Sequence, residues 1–209
     1  MPHKPEIGDD LYGMTYEDAG EALPEADAAV LPTGSIEQHS VHLPVSVDTI
    51  RADHLSAALV EAAADHDLAF VRLPALPYGY SEHHMNYPGT VTLTQDTYRD
   101  AVIEVGESLA EHGVDRLVLL NCHGGNREPL AMAADRLGRD HDVTTHLVHW
   151  TAFAATTCRR RSARDGATPA TTRPASSNCS ARTSSRGTAR RSRTPGSSPR
   201  RGRTRTSTR

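Results

Sequence analysis

Arg116-Leu117-Val118-Leu119-Leu120 is an apolar run of strand length with no polar alternation. Such a strand has no face to turn to water. It needs cover on both sides, a condition met by a parallel sheet sandwiched between helices. Three more runs read as strands: Ala28-Ala29-Val30-Leu31, which is apolar throughout, and Ala69–Leu73 and Val143–Trp150, which include polar residues. Helical patterns lie between them. One starts at Asp48 and reaches about Asp65, with Ile50, Leu55, Ala58, Leu59, Ala62 and Ala63 near one face. A second runs from Gln95 to His112, with Tyr98, Ala101, Val102, Val105 and Leu109 in register, Thr94 as N-cap and Gly113 as the stop. A third spans about Arg127 to Arg139. Thr90–Leu93 is a further short β-branched run, and a short helix is expected near Thr15–Ala22 in the polar lead-in. Strand–helix alternation of this kind predicts an α/β chain with a parallel sheet and helices on both faces.

Charge divides the chain at about residue 157. Residues 1–157 carry 25 acidic and 8 basic side chains, whereas residues 158–209 carry one acid, Asp165, and 15 arginines. The first part has a single lysine, Lys4, and an acidic balance that suits a salt-adapted cytoplasmic protein and equally an ordinary acidic protein of a GC-rich genome. There is no apolar leader and no membrane-length run. Three scattered cysteines, Cys122, Cys158 and Cys179, make no disulfide framework. Residues 158–209 contain no Leu, Ile, Val, Phe, Tyr or Met. They cannot bury enough apolar surface to fold, so a disordered basic tail is expected. An arginine-rich arm binds nucleic acid electrostatically, but this one has no aromatic side chains to stack on bases. Arg-, Ser-, Thr- and Pro-rich text starting abruptly inside a domain is also what a GC-rich gene yields when read out of frame.

Two polar clusters follow strands, at the end of a parallel sheet where sites form. The first is Gly34-Ser35-Ile36-Glu37-Gln38-His39, continuing through His42-Leu43-Pro44 to Asp48. Glu37 and His39 are two residues apart, so an extended backbone points both the same way. Asp48, at a helix start, is either an N-cap or a carboxylate placed to bridge two cations. The second cluster is Asn121-Cys122-His123-Gly124-Gly125-Asn126, in which glycines let backbone and imidazole approach closely. Glu, Asp and His together suit Zn²⁺, Mn²⁺ or Fe²⁺ better than Ca²⁺ or Mg²⁺. Two such ions about 3.5–4 Å apart hold a bridging water and generate hydroxide near neutral pH. His83 and His84 read equally as surface loop residues. No P-loop, Gly-x-Ser-x-Gly elbow, Cys-x-x-Cys or dinucleotide fingerprint is present.

The first cluster, Tyr78-Gly79 with His84 and Tyr87-Pro88-Gly89-Thr90, and the Asn121–Asn126 turn occur in the order found in the creatininase (creatinine amidohydrolase) family. Residues 28–150 resemble that family. The resemblance implies a three-layer α/β/α fold with a mostly parallel sheet, assembled as a homo-oligomer, usually a hexamer. It implies two divalent metal ions, with Glu37, Asp48 and His123 on one and His39 with bridging Asp48 on the other. His42, His84, Gly124, Gly125 and Asn126 fall at substrate-binding or supporting positions. The implied activity is hydrolysis of a linear or cyclic amide C–N bond other than a peptide bond, through a metal-bridging hydroxide. The family's substrates include creatinine, a formylaminopyrimidine and a peptide in redox-cofactor maturation. His-Gly-Gly-Asn in place of an acid two residues after His123 departs from creatininases proper. The family's later His-Ala-Gly-x-x-Glu-like segment is missing. Gly166–Arg173 can be encoded so that a shifted frame reads Gly-Asp-Ala-Gly-Asp-Tyr-Glu, which resembles it. The expected organisation is therefore an incomplete creatininase-like domain over 1–157 and a frame-disrupted tail over 158–209. The alternative is a non-catalytic protein: an inactive fragment, or an acidic domain with a basic arm.

Overall fold

The computed structural model describes residues 10–152. The 158–209 tail lies outside the described residues. Within them the order is α1 (Tyr16–Glu25), β1 (Ala28–Thr33), α2 (Val47–Ala64), β2 (Phe70–Arg72), α3 (Gln95–Glu111), β3 (Arg116–Asn121), α4 (Arg127–Asp140) and β4 (Thr144–His149), with 3₁₀ turns at Leu11–Gly13, Glu82–His84 and Gly124–Asn126.

The four strands form one parallel sheet in the order β2-β1-β3-β4. Successive side chains of the central strands point to opposite layers. Ala28, Val30, Val118 and Leu120 meet Val60 of α2, with Leu55 and Leu59 at its edge. Ala29, Leu31, Leu117 and Leu119 meet Leu23, Tyr98, Val102, Ile103, Leu130, Ala133 and Leu137 from α1, α3 and α4. The apolar run Leu117–Leu120 is buried along its whole length, as a strand covered on both faces must be. Strand order reverses between β1 and β3. The crevice at their carboxyl ends is the topological switch point where open α/β sheets place ligands.

Several boundaries differ from the sequence pattern for physical reasons. The pattern ends β1 at Leu31 because Pro32 cannot donate to a ladder. The strand nevertheless continues to Thr33. Val30 and Pro32 turn their carbonyls toward Leu73 and Leu76, on the side where β2 has already ended, so no β2 residue seeks the missing N–H. Thr90–Leu93 adds no strand to the sheet; Val91 makes an isolated antiparallel bridge to Ile36. The face predicted for α2 is corrected. Its buried line is Asp48, Ala52, Ser56, Val60 and Ala63, whereas Ile50 is 44% exposed. An alanine-rich helix has little amphipathic contrast. Small side chains therefore face the sheet, and Ser56 satisfies its hydroxyl on the Asp53 carbonyl. The N-cap of α2 is Ser46, so Asp48 sits inside the first turn with its carboxylate free for other work.

Candidate metal centre

Three loops converge at the switch point, and Asn126 ties them together. Its side-chain amide donates to the Gly34 carbonyl at 2.9 Å, and its Oδ1 accepts the Tyr80 N–H at 2.9 Å. Gly34 has to be glycine, because a Cβ there would lie 2.5 Å from the Thr49 Cα. Gly79 is equally confined, with a Cβ 2.5 Å from Asn126 Oδ1. Asn126 is fully buried, so Asn126→Ala strands the Gly34 carbonyl and the Tyr80 N–H. We expect a loss of about 2–4 kcal/mol, read as a lower urea midpoint with unchanged slope.

From this frame, four side chains enter one cluster. Glu37 and His39 come from the loop after β1, which the Glu37 N–H closes on the Val45 carbonyl at 2.9 Å. Asp48 comes from α2 and His123 from the turn after β3. His123 Nδ1 stands 3.2 Å from Glu37 Oε1 and 3.2 Å from Asp48 Oδ2. His39 Nε2 stands 3.3 Å from Asp48 Oδ1 and 3.9 Å from Glu37 Oε1. Glu37, Asp48 and His123 are only 6%, 3% and 3% exposed. Ser81 donates to Glu37 Oε2 at 2.7 Å and contacts Ser35 Oγ at 2.6 Å. His123 is also oriented at both ends: its backbone N–H donates to Asn121 Oδ1, and its Nε2 lies 2.9 Å from the Tyr80 carbonyl.

Electrostatics follow from that packing. Burial pushes the Glu37 carboxyl up, but hydrogen bonds from His123 and Ser81 and the charges of His123 and His84 bring it down to about 2. Burial pushes the His123 imidazole down, but its bonds to Asp48, Glu37 and the Tyr80 carbonyl carry it up to about 9. With Nε2–H given to the Tyr80 carbonyl, Nδ1 faces two carboxylates. That arrangement is unfavourable unless a cation lies between them. A proton serves, and so does a metal ion. Donors held 2.0–2.1 Å from one tetrahedral ion sit roughly 3.3 Å apart, close to the separations observed. Among the described residues, two groups of donor atoms fall within 4.8 Å of one another: Glu37, His39 and Asp48, and Glu37, His83 and His123. The carboxylate–imidazole set fits a borderline transition ion.

The cluster opens into a cavity of about 400 Å³ lined by Glu37, His39, Asp48, Arg51, His83, His84, Cys122, His123, Gly124, Gly125 and Trp150. The structure thus brings together Glu37, His39, Asp48 and His123, with His84, Gly124 and Gly125 at the wall and Asn126 beneath it. His84 Nε2 is 3.8 Å from Glu37 Oε2. His42 is exposed and does not line the cavity. Ser40 turns the chain with a φ of 60°, so the extended alternation that aligns Glu37 with His39 stops before His42. Gly125 admits no side chain, since a Cβ would meet the Tyr80 carbonyl oxygen at 2.2 Å. Arg51 and Trp150 enter the site without having been singled out, and His83, which read as a surface loop residue, lines it too. Arg51 lies one helical turn beyond Asp48, a spacing that pairs carboxylate and guanidinium. Trp150 follows β4 at the same sheet end.

Residues 13–175 match the family model described as Creatininase, creatinine amidohydrolase. The chain belongs to the creatininase family. It is 40% identical over 117 residues to a mycofactocin precursor peptide peptidase of Mycolicibacterium smegmatis, covering 53% of this chain and 46% of that protein. It is 35% identical over 119 residues to a creatinine amidohydrolase of Pseudomonas putida, covering 54% and 44%. Among solved structures it superposes on a creatininase mutant of Zn-Zn type with a TM-score of 0.63 at 25% identity, covering 70% of this chain and 59% of the other. The chain spans about half the length of the curated relatives it matches. Creatininase-family relatives include a peptidase as well as an amidohydrolase of a small molecule, so membership alone does not confine the bond to non-peptide amides. No helix among the described residues is long and apolar enough to cross a membrane.

Proposed function

We propose that this creatininase-family chain is a metal-dependent hydrolase of an amide C–N bond. The observation that carries the reading is the buried imidazole Nδ1 of His123 held 3.2 Å from two separate carboxylates. In this reading Glu37, Asp48 and His123 hold one divalent ion, Zn, Mn or Fe, and His39 with Asp48 provides for a second. A bound divalent ion supplies Lewis acidity, polarising a carbonyl and making water a nucleophile near neutral pH.

The chain's own groups do the rest. The Tyr80 carbonyl fixes the His123 tautomer, which keeps Nδ1 available to the ion. Ser81 holds Glu37 in one rotamer. Gly124 and Gly125 leave the cavity wall open to a flat amide. His84, half-buried on the rim, is placed to hold the proton that the departing nitrogen takes up. Exposed Val41, Leu43, Met85 and Tyr87 lie in the loops that carry His39 and His84, which supports self-association. For residues 158–209 we retain a frame-disrupted origin, tested by the gene's nucleotide sequence after codon 157.

The test is metal content and hydrolysis by the full chain. We expect bound transition metal and chelator-sensitive cleavage within a panel of creatinine, N-formyl amines and dipeptides. A chain that takes up no transition metal overturns the reading.

A further inference from the structure

Asp48 uses its two oxygens differently. Oδ2 faces His123, in the half of the centre shared with Glu37. Oδ1 faces His39 and also accepts a hydrogen bond from Arg51 Nη1 at 3.0 Å. Arg51 is the one Lys or Arg among the described residues lining the cavity. Three elements hold it. Its stem belongs to α2, Nη1 also reaches the Cys122 carbonyl at 3.4 Å, and the guanidinium carbon stands 4.2 Å from the Trp150 ring centroid. The backbone at Trp150 is anchored in turn by its main-chain N–H on the Asn121 carbonyl. A guanidinium stacked on an indole and bonded at two oxygens is not a loose surface side chain.

We propose that Arg51 makes the two halves of the metal centre unequal. The Glu37–Asp48–His123 half takes a divalent ion tightly, whereas the fixed guanidinium on Asp48 Oδ1 weakens the His39 half. This rests on the metal-centre reading above and deepens it. A carboxylate oxygen can accept from both a guanidinium and an ion, so the geometry leaves a place for the second ion. Charge opposes its arrival: an ion beside His39 and Asp48 Oδ1 sits within a few ångströms of a permanent positive charge. Even with a high effective dielectric, that repulsion lowers affinity by about a hundredfold or more. Arg51 supplies in permanent form part of the charge that a second ion would bring to Asp48.

The test is metal binding by the full chain, with Zn²⁺ followed by equilibrium dialysis and elemental analysis, and Mn²⁺ followed by electron paramagnetic resonance. We expect one tight ion per chain and a second at least about a hundredfold weaker, with no spin-coupled Mn pair at one equivalent. Arg51→Met keeps an apolar stem over Trp150 and removes the charge. It is expected to bring the second affinity to within about tenfold of the first, with a spin-coupled pair at two equivalents. Arg51→Lys keeps the charge and the inequality. Two ions of equal affinity in the unaltered chain overturn the proposal and leave the metal-centre reading standing. An unchanged gap in a folded Arg51→Met protein also overturns it. Should Arg51→Met not fold, Arg51→Gln, which also removes the charge, is measured in its place. Absence of any metal binding removes both readings together.

Discussion

On the proposed metal-dependent reading, Asp48→Asn will abolish tight metal binding by the full chain and lower amide hydrolysis on the order of a thousandfold or more. The amide has the shape of the acid, so α2 and the loop closed by Glu37 keep their places. What changes is charge and lone-pair count. Asp48 presents Oδ2 to His123 and Oδ1 to His39. Whichever way the amide is turned, one of those imidazoles meets an N–H donor instead of an acceptor. One negative charge also leaves a centre whose other buried carboxylate is Glu37. Arg51, whose side chain is 27% exposed, loses its partner, which costs the folded chain about 1 kcal/mol after allowance for solvent. Elemental analysis, a thermal melt and a hydrolysis assay separate these effects. A folded Asp48→Asn protein that retains a tight ion and full activity would place the chemistry elsewhere.

The fold was legible where burial is two-sided and opaque where it is not. Leu117–Leu120 and Ala28–Leu31 have no polar alternation, and only a covered parallel sheet accommodates them. The inward face of α2 could not be found in the same way. Its line carries Asp48 and Ser56, and alanines occupy both sides, so hydrophobic contrast is absent. The site shows the same division. Glu37 and His39 could be paired from two-residue spacing because that segment is extended. His42 was placed by the family pattern alone: five residues from Glu37, it falls on the opposite side of an extended segment, and Ser40 ends that segment with a left-handed backbone. Asp48 and His123 are 75 residues apart, and they could be brought to one site because both clusters leave strands at the same end of a parallel sheet; the family pattern added that they share one ion. Arg51 and Trp150 needed the structure, because their contact spans α2 and the end of β4. A helical reading that followed Asp48 forward by one turn would have found the first. A reading of every strand's carboxyl end would have found the second.

The metal-stripped chain will be most stable in mildly acidic solution and will lose stability on both sides of that window. Glu37 titrates at about 2 in the folded chain against an ordinary value of 4.5. Its ionised form supplies stability that is complete above 4.5 and is lost as pH falls toward 2. His123 has the opposite sign. It titrates at about 9 when folded against an ordinary 6.5. The protonated imidazole therefore contributes fully below 6.5, and its contribution disappears as pH rises through 9. Between 4.5 and 6.5 both contributions are present. Above that window, losing the proton leaves Nδ1 facing Glu37 and Asp48 with no cation between them. A divalent ion replaces that proton, so metal stabilises most on the alkaline side, and its apparent affinity rises as His123 gives up its proton. Thermal melts in chelator from pH 3.5 to 9.5, repeated with Zn²⁺ or Mn²⁺, read both arms. The expected result is a midpoint that falls between pH 6.5 and 9 in chelator and holds level with metal. His123→Gln removes the alkaline fall, because no proton remains to be lost. A chelated protein whose midpoint is flat from pH 6 to 9 would show that His123 carries no proton between the carboxylates, and the case for a cation at that point would fail with it.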